Sequence, residues 1–172
     1  MKMASLTTRP VLFVYGTLKR GFPNAHEMPA GLEYLGTGIT VNRYPLVVGS
    51  DMNIPFVLDL PEHNGASRVR GELYRTSSET QIEALEIFEG VPNQFYDRIA
   101  LKVELETTDC DNRDRNLDAG SQLDAFCYVR SEVGGGPVWA RDWPISRLVL
   151  AEMVPEYTLD MAKSFVPRSK RT

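Results

Sequence analysis

The chain reads as an α+β protein: a small mixed β-barrel or curled sheet with a few flanking helices. Three observations carry that expectation. Many short apolar or alternating runs are bounded by glycine and proline, one segment is strongly helical in its periodicity, and the regular strand–helix alternation of a doubly wound parallel sheet is missing. At 172 residues, 42% hydrophobic and 24% charged, the chain suits one domain with a proper core. The expected organisation is a single domain over 1–172 with its core at about 10–155. A ragged N-terminus, a mobile loop at 107–122 and a flexible C-terminal tail complete it.

The elements follow from local pattern. Pro10-Val11-Leu12-Phe13-Val14-Tyr15 is a continuous apolar run stopped by Gly16, as in a strand buried on both faces. Residues 19–31 turn polar and carry Gly21, Pro23, Pro29 and Gly31, which marks a loop with at most a short helix. Short strands are expected at 36–43, 44–49 and 54–60, then a turn through Pro61, Asn64 and Gly65. Residues 68–75 alternate polar and apolar, as a half-buried strand does. Ser78 followed three residues later by Gln81 makes a capping box. Ile82, Leu85 and Phe88 then recur at helical spacing, Ala84 and Ile87 widen the stripe, and Gly90 with Pro92 ends it. Residues 95–106 form the longest expected strand and 123–130 the last. Between them, 107–122 is polar and charged. Gly134-Gly135-Gly136-Pro137 breaks the chain, and 145–154 is expected to form a short terminal helix.

Composition excludes several classes. A net charge of -4 at pH 7 gives no general attraction to nucleic acid or anionic membrane. The basic end, Arg168, Lys170 and Arg171, reads as a solvated tail. Cys110 and Cys127 make neither a disulfide framework nor a zinc quartet. His26 and His63 lie far apart without metal-ligand spacing, so no metal is expected. No apolar stretch approaches the length of a membrane span, and the first ten residues are broken too quickly for a secretory signal. The expectation is a cytoplasmic monomer without nucleic-acid or membrane partners.

Three segments are candidates for chemistry. The first is Tyr15-Gly16-Thr17-Leu18-Lys19-Arg20-Gly21. A buried strand ending in glycine leaves successive N–H groups without ladder partners, free to face an anion or a developing oxyanion. It is not a Walker loop, because the second glycine followed by Lys-Ser or Lys-Thr is missing. Taken alone, such a glycine also serves as plain punctuation. The second is Glu89 at the helix end, among Phe88, Val91, Pro92, Phe95 and Tyr96. The negative helix terminus and apolar neighbours would both raise its pKa towards neutrality, although a glutamate there also serves as a solvated helix end. The third is the acidic stretch Asp109, Asp111, Asp114 and Asp118. It lacks the glycine and bidentate glutamate of a calcium loop and reads as solvated.

Taken in order, these segments resemble the gamma-glutamylcyclotransferase-like family, and most nearly its gamma-glutamylamine branch. The matching pieces are Val14-Tyr15-Gly16-Thr17-Leu18-Lys19-Arg20-Gly21, Tyr44-Pro45-Leu46-Val47, Asn53-Ile54-Pro55 and Gly71-Glu72-Leu73-Tyr74. They continue through Leu85, Phe88-Glu89, Tyr96-Asp97-Arg98 and Phe126-Cys127-Tyr128. The likeness fades after Arg130. It implies a small barrel with a pocket at one end and a small-molecule gamma-glutamyl substrate. It also implies a cofactor-free cyclisation of acyltransferase or lyase type that releases 5-oxoproline and a free amine such as lysine. Glu89 would be the proton acceptor, and Tyr15, Gly16, Thr17 and Leu18 would hold the gamma-glutamyl part. Ile54, Pro55 and Tyr128 are weaker candidates for the lining. Whether the N–H groups of 16–18 face an oxyanion or a carboxylate stays open. So does the substrate, with gamma-glutamyl amino acids or peptides as one alternative and a non-catalytic binding protein as another.

Overall fold

The computed structural model describes residues 9–108, 117–132 and 135–171. Strand β1 (Val11–Val14) pairs antiparallel with β5 (Ser67–Arg75), and β5 with β2 (Glu33–Tyr44). The ladder continues, again antiparallel, from β2 to β6 (Asp97–Thr108) and from β6 to β7 (Gln122–Val129). A parallel contact of β1 with β7, Leu12 opposite Phe126, closes the ring into a five-stranded barrel. The expected small barrel is therefore what the chain forms.

Strand β1 shows why its run is apolar throughout. Val11, Phe13 and Tyr15 face the barrel interior with Leu35, Leu73 and Val103. Leu12 and Val14 face a second core outside it, shared with Phe56, Leu85, Phe95, Tyr96 and Tyr128. With side chains alternating along the strand, burial on both faces demands hydrophobes at every position.

That second core is roofed by helix α1 (Glu79–Glu89) and a hairpin, β3 (Leu46–Gly49) and β4 (Ile54–Val57). Helix α1 starts at the expected capping box of Ser78 and Gln81, and stops at Gly90 with φ 71°. The hairpin is held to the end of β7 by Arg130 N–H donating to Val57 O at 2.8 Å and Asp59 N–H to Arg130 O at 2.9 Å.

Some boundaries move, for identifiable reasons. Strand β2 extends back to Glu33 and is separated from β3 by Pro45, which brings no N–H to a ladder. The terminal helix is confined to α2 (Ile145–Leu148), because the following residues are recruited to the β3 edge: Met153 bridges to Val47, and Val154 N–H donates to Leu46 O at 2.9 Å. Within the expected loop, Thr107 and Thr108 belong to β6 and Gln122 to β7. Cys110, Asp109, Asp111 and Asp114 lie outside the described residues.

The expected flexible tail is corrected. Tyr157, Ala162 and Phe165 are buried, and α3 (Leu159–Ala162) lies between the first and last of them. Val166 N–H donates to Met52 O at 2.9 Å, and Arg168 donates to Phe88 O. The positive charges suggested solvation, but burying two aromatic residues outweighs the solvation of their polar neighbours.

Close strand packing has a cost in tolerance. Gly38 and Gly71 are register partners, and a Cβ at Gly71 would stand 2.4 Å from Val14 O and 2.7 Å from the Phe13 ring. Because one obstacle is backbone, Gly71→Ala should lower stability by about 2–3 kcal/mol, read as a shifted denaturant midpoint. An unchanged midpoint would mean that the barrel wall yields.

Candidate active site

Beyond Val14 the chain leaves the sheet and turns. Its carbonyls find partners inside the turn: Gly16 O accepts from Lys19 N–H at 3.2 Å and Thr17 O from Asn24 N–H at 2.9 Å. The N–H groups of Gly16, Thr17 and Leu18 donate to no acceptor among the described residues. Three fixtures hold the turn in place. Asn24 Nδ2 donates to Thr17 Oγ1 at 2.9 Å, buried Lys19 donates to Tyr157 O at 2.5 Å, and Arg20 N–H donates to the Glu72 carboxylate at 3.0 Å. The free donors are thus fixed in direction before any ligand arrives. Gly16 has a spatial reason to be glycine, since a Cβ there would come within 3.1 Å of Pro55 Cγ.

Glu89 is the last residue of α1, and its backbone is fixed by the left-handed turn at Gly90. The residue is half-buried, but its carboxyl is enclosed by protein. No hydrogen bond or ion pair engages that carboxyl among the described residues. Desolvation pushes its pKa up to about 7, while the Arg168 charge pulls it down. The helix terminus, expected to share the cause, carries a positive charge of its own, because Arg168 donates to the Phe88 carbonyl.

The two segments meet. One hollow, about 420 Å³ including its mouth, is lined by Glu89 together with Tyr15, Gly16, Thr17 and Leu18. Ile54, Pro55 and Tyr128 also line it, so all eight sequence candidates border the same space. Their side chains are not equally available. Tyr15 Oη donates to Tyr128 O at 2.9 Å, which leaves its ring and main chain for a ligand. The Tyr128 hydroxyl is buried and has no partner. Burial is the main cause of the upward pKa shifts of Tyr15, Tyr96 and Tyr128, and the nearby Glu89 charge adds to each. All three hydroxyls are therefore neutral beside it.

Sequence reasoning missed several contributors. Tyr96, counted only as an apolar neighbour, lines the hollow and donates to Pro55 O at 3.3 Å. Asn24 and Glu72 act by fixing the turn, and Arg168 reaches the site from a segment read as tail. Only Asn24 left a local trace, a capping-type side chain seven residues beyond the one it holds. Among the described residues no group of His, Cys, Asp and Glu is placed to hold a metal ion, and no helix is long and apolar enough to cross a membrane.

A strand-end turn with free N–H groups thus shares a small hollow with the Glu89 carboxyl. The chain belongs to the gamma-glutamyl cyclotransferase, AIG2-like family, whose model matches residues 12–144. It is 38% identical over 133 residues to a Rattus norvegicus protein named gamma-glutamylaminecyclotransferase, covering 74% of this chain and 81% of that one. A Drosophila melanogaster relative is 41% identical over 106 residues, which is 58% of this chain and 65% of that one. The crystal structure of an AIG2-like protein from Mus musculus superposes with a TM-score of 0.71 at 29% identity, covering 95% of this chain and 99% of that one.

The raised Glu89 pKa has a consequence for stability. From about pH 4.5 to 7 the unfolded chain has released the Glu89 proton while the folded chain keeps it. Stability from this group is therefore full below that window and is lost as pH rises through 7. Glu89→Gln should accordingly be more stable than wild type by ~1–3 kcal/mol at pH 8, with the difference closing below pH 5. Urea denaturation at both pH values measures it, and a pH-independent difference would contradict an enclosed carboxyl.

Proposed function

We propose that this chain is a gamma-glutamylamine cyclotransferase that converts a gamma-glutamyl amide into 5-oxoproline and a free amine, with Glu89 as acid–base group. One observation carries the reading: an unengaged carboxyl with a pKa near 7 shares a hollow with three unpartnered main-chain N–H groups. The name of the rat relative supports an amine as leaving group.

The α-amine and γ-carbonyl of the substrate belong to one molecule. The protein's first task is therefore to freeze the folded rotamer in which they meet. At neutral pH the α-amine is an ammonium and cannot attack. The ionised Glu89 carboxylate takes a proton from it, and the freed nitrogen forms a bond to the γ-carbon. The carbonyl oxygen becomes an oxyanion. When the oxyanion collapses, the bond to the leaving nitrogen breaks, and Glu89 returns its proton there so that a neutral amine departs. The second proton lost between ammonium and lactam N–H exchanges with water. A carboxyl with a pKa near 7 suits both transfers, because neither protonation state is strongly preferred at working pH.

The N–H groups of Gly16, Thr17 and Leu18 hold the negative group of the ligand, whether oxyanion or α-carboxylate, by main-chain donation. Tyr128 offers its unpaired hydroxyl to the same ligand. Tyr15, Ile54 and Pro55 shape the wall. A cytoplasmic, monomeric enzyme belongs to this proposal, in keeping with the free buried thiol of Cys127.

Glu89→Gln should reduce 5-oxoproline release by at least about a thousandfold while keeping the fold. In wild type, kcat/KM should rise with pH through about 7 as Glu89 ionises. Retained turnover in the variant would remove Glu89 from the mechanism. Assays on gamma-glutamyl amines beside gamma-glutamyl amino acids and peptides decide the leaving group. Saturable 5-oxoproline binding with no turnover of any amide would replace the enzyme by a binding protein.

A further inference from the structure

The C-terminal end of α1 adjoins two hollows. Glu89 lines the first, whereas its neighbours Phe88 and Gly90 line a second of about 650 Å³ including its mouth, walled also by Phe95, Trp139, Arg168 and Arg171. The Arg168 guanidinium lies 4.2 Å from the centre of the Phe88 ring, and that of Arg171 lies 5.8 Å from the centre of a Trp139 ring. Each arginine donates to a main-chain carbonyl, Arg168 to Phe88 O and Arg171 to Val166 O at 3.0 Å. Neither has a carboxylate within ion-pair distance among the described residues. Arg171 is half-buried, and the Arg168 charge adds to burial in disfavouring its protonated form. Two like charges thus share an aromatic shelf without a counter-ion among the described residues.

Their influence reaches the first hollow. Arg168 acts on Glu89, and both arginines act on Tyr96, which lines the same space. A guanidinium pair on aromatic faces matches a planar carboxylate, which accepts hydrogen bonds from both forks. A carboxylate placed there would also relieve the repulsion between the two cations.

The chemistry of the leaving group can supply that carboxylate. On the cyclotransferase reading Glu89 meets the departing nitrogen, and the second hollow begins at its two sequence neighbours, Phe88 and Gly90. An amine donated by a lysine side chain carries a carboxylate at its far end. We propose that the Arg168–Arg171 hollow is the leaving-group subsite and recognises a carboxylate on the departing amine. The proposal rests on the cyclotransferase reading for its position in the reaction, but carboxylate binding can be measured without turnover.

Two measurements test it on the full chain. In the first, 6-aminohexanoate is titrated while tryptophan fluorescence is followed, since Trp139 walls the hollow. Wild type should give a saturable change that Arg171→Gln weakens about tenfold, the loss expected for one charge-assisted contact, and hexylamine should give none. In the second, kcat/KM is compared for the gamma-glutamyl amides of 6-aminohexanoate and hexylamine. The ratio should favour the carboxylate and fall about tenfold in Arg171→Gln. A purely structural role would lower both amides together and leave the ratio unchanged, which overturns the subsite. Arg168→Gln, which removes the other guanidinium, provides the same comparison where Arg171→Gln does not fold. Turnover of both amides, with ratio and titration unaltered in either variant, discards the subsite and leaves the cyclotransferase reading standing. A titration that depends on the arginines without turnover of either amide does the reverse.

Discussion

The barrel closes along its shortest seam, where four-residue β1 meets β7 in parallel through Leu12 and Phe126. Tyr15 Oη, donating to Tyr128 O, fastens the two strands together just beyond that contact. A closed barrel has no free edges except where a strand runs out. Because β1 stops at Val14, the next residues turn away and three main-chain donors are left without ladder partners. The same short strand makes a hollow possible, since a longer β1 would continue the ladder and consume those donors.

Around that seam the second core supplies rigidity. Leu85 anchors α1 from beneath, Phe95 and Tyr96 pack against Phe56, and Tyr128 continues the cluster across β7. Glu89 therefore projects from a helix fixed by packing rather than from a loop. An unpaired carboxyl enclosed by such a cluster is unfavourable in isolation. The rest of the fold tolerates it, as is common where a group must exchange protons near neutrality. Buried Arg130 reinforces the far side by donating to Phe95 O, Gly135 O and Ala140 O at 2.7, 2.9 and 3.3 Å.

What could be read from the sequence was local. The capping box at Ser78 and Gln81, the stop at Gly90 and the doubly buried β1 each depend on neighbours within a few residues, and each stands where it was expected. Glu89 and the 15–18 turn also stood out as candidates, through residue type and position at element ends. Their meeting in one hollow was not, because it depends on barrel closure. Contacts between distant segments left no signal: Lys19 bonds a carbonyl 138 residues away, and Arg168 one 80 residues away. The C-terminal residues were misread for the same reason, since their charges are visible in sequence and the cavity that receives Phe165 is not. The shortened terminal helix is another case, where a free β3 edge overrides helical propensity.

The free donors of the 16–18 turn belong to the peptide backbone, which no side-chain replacement can re-write. Recognition built this way is largely insulated from mutation, so drift at these positions alters fit only through bulk, as beside Pro55. Changes in fit to a ligand therefore fall to whichever side chains frame the mouth. One end of such a hollow is set by the chain's path and the other by replaceable side chains.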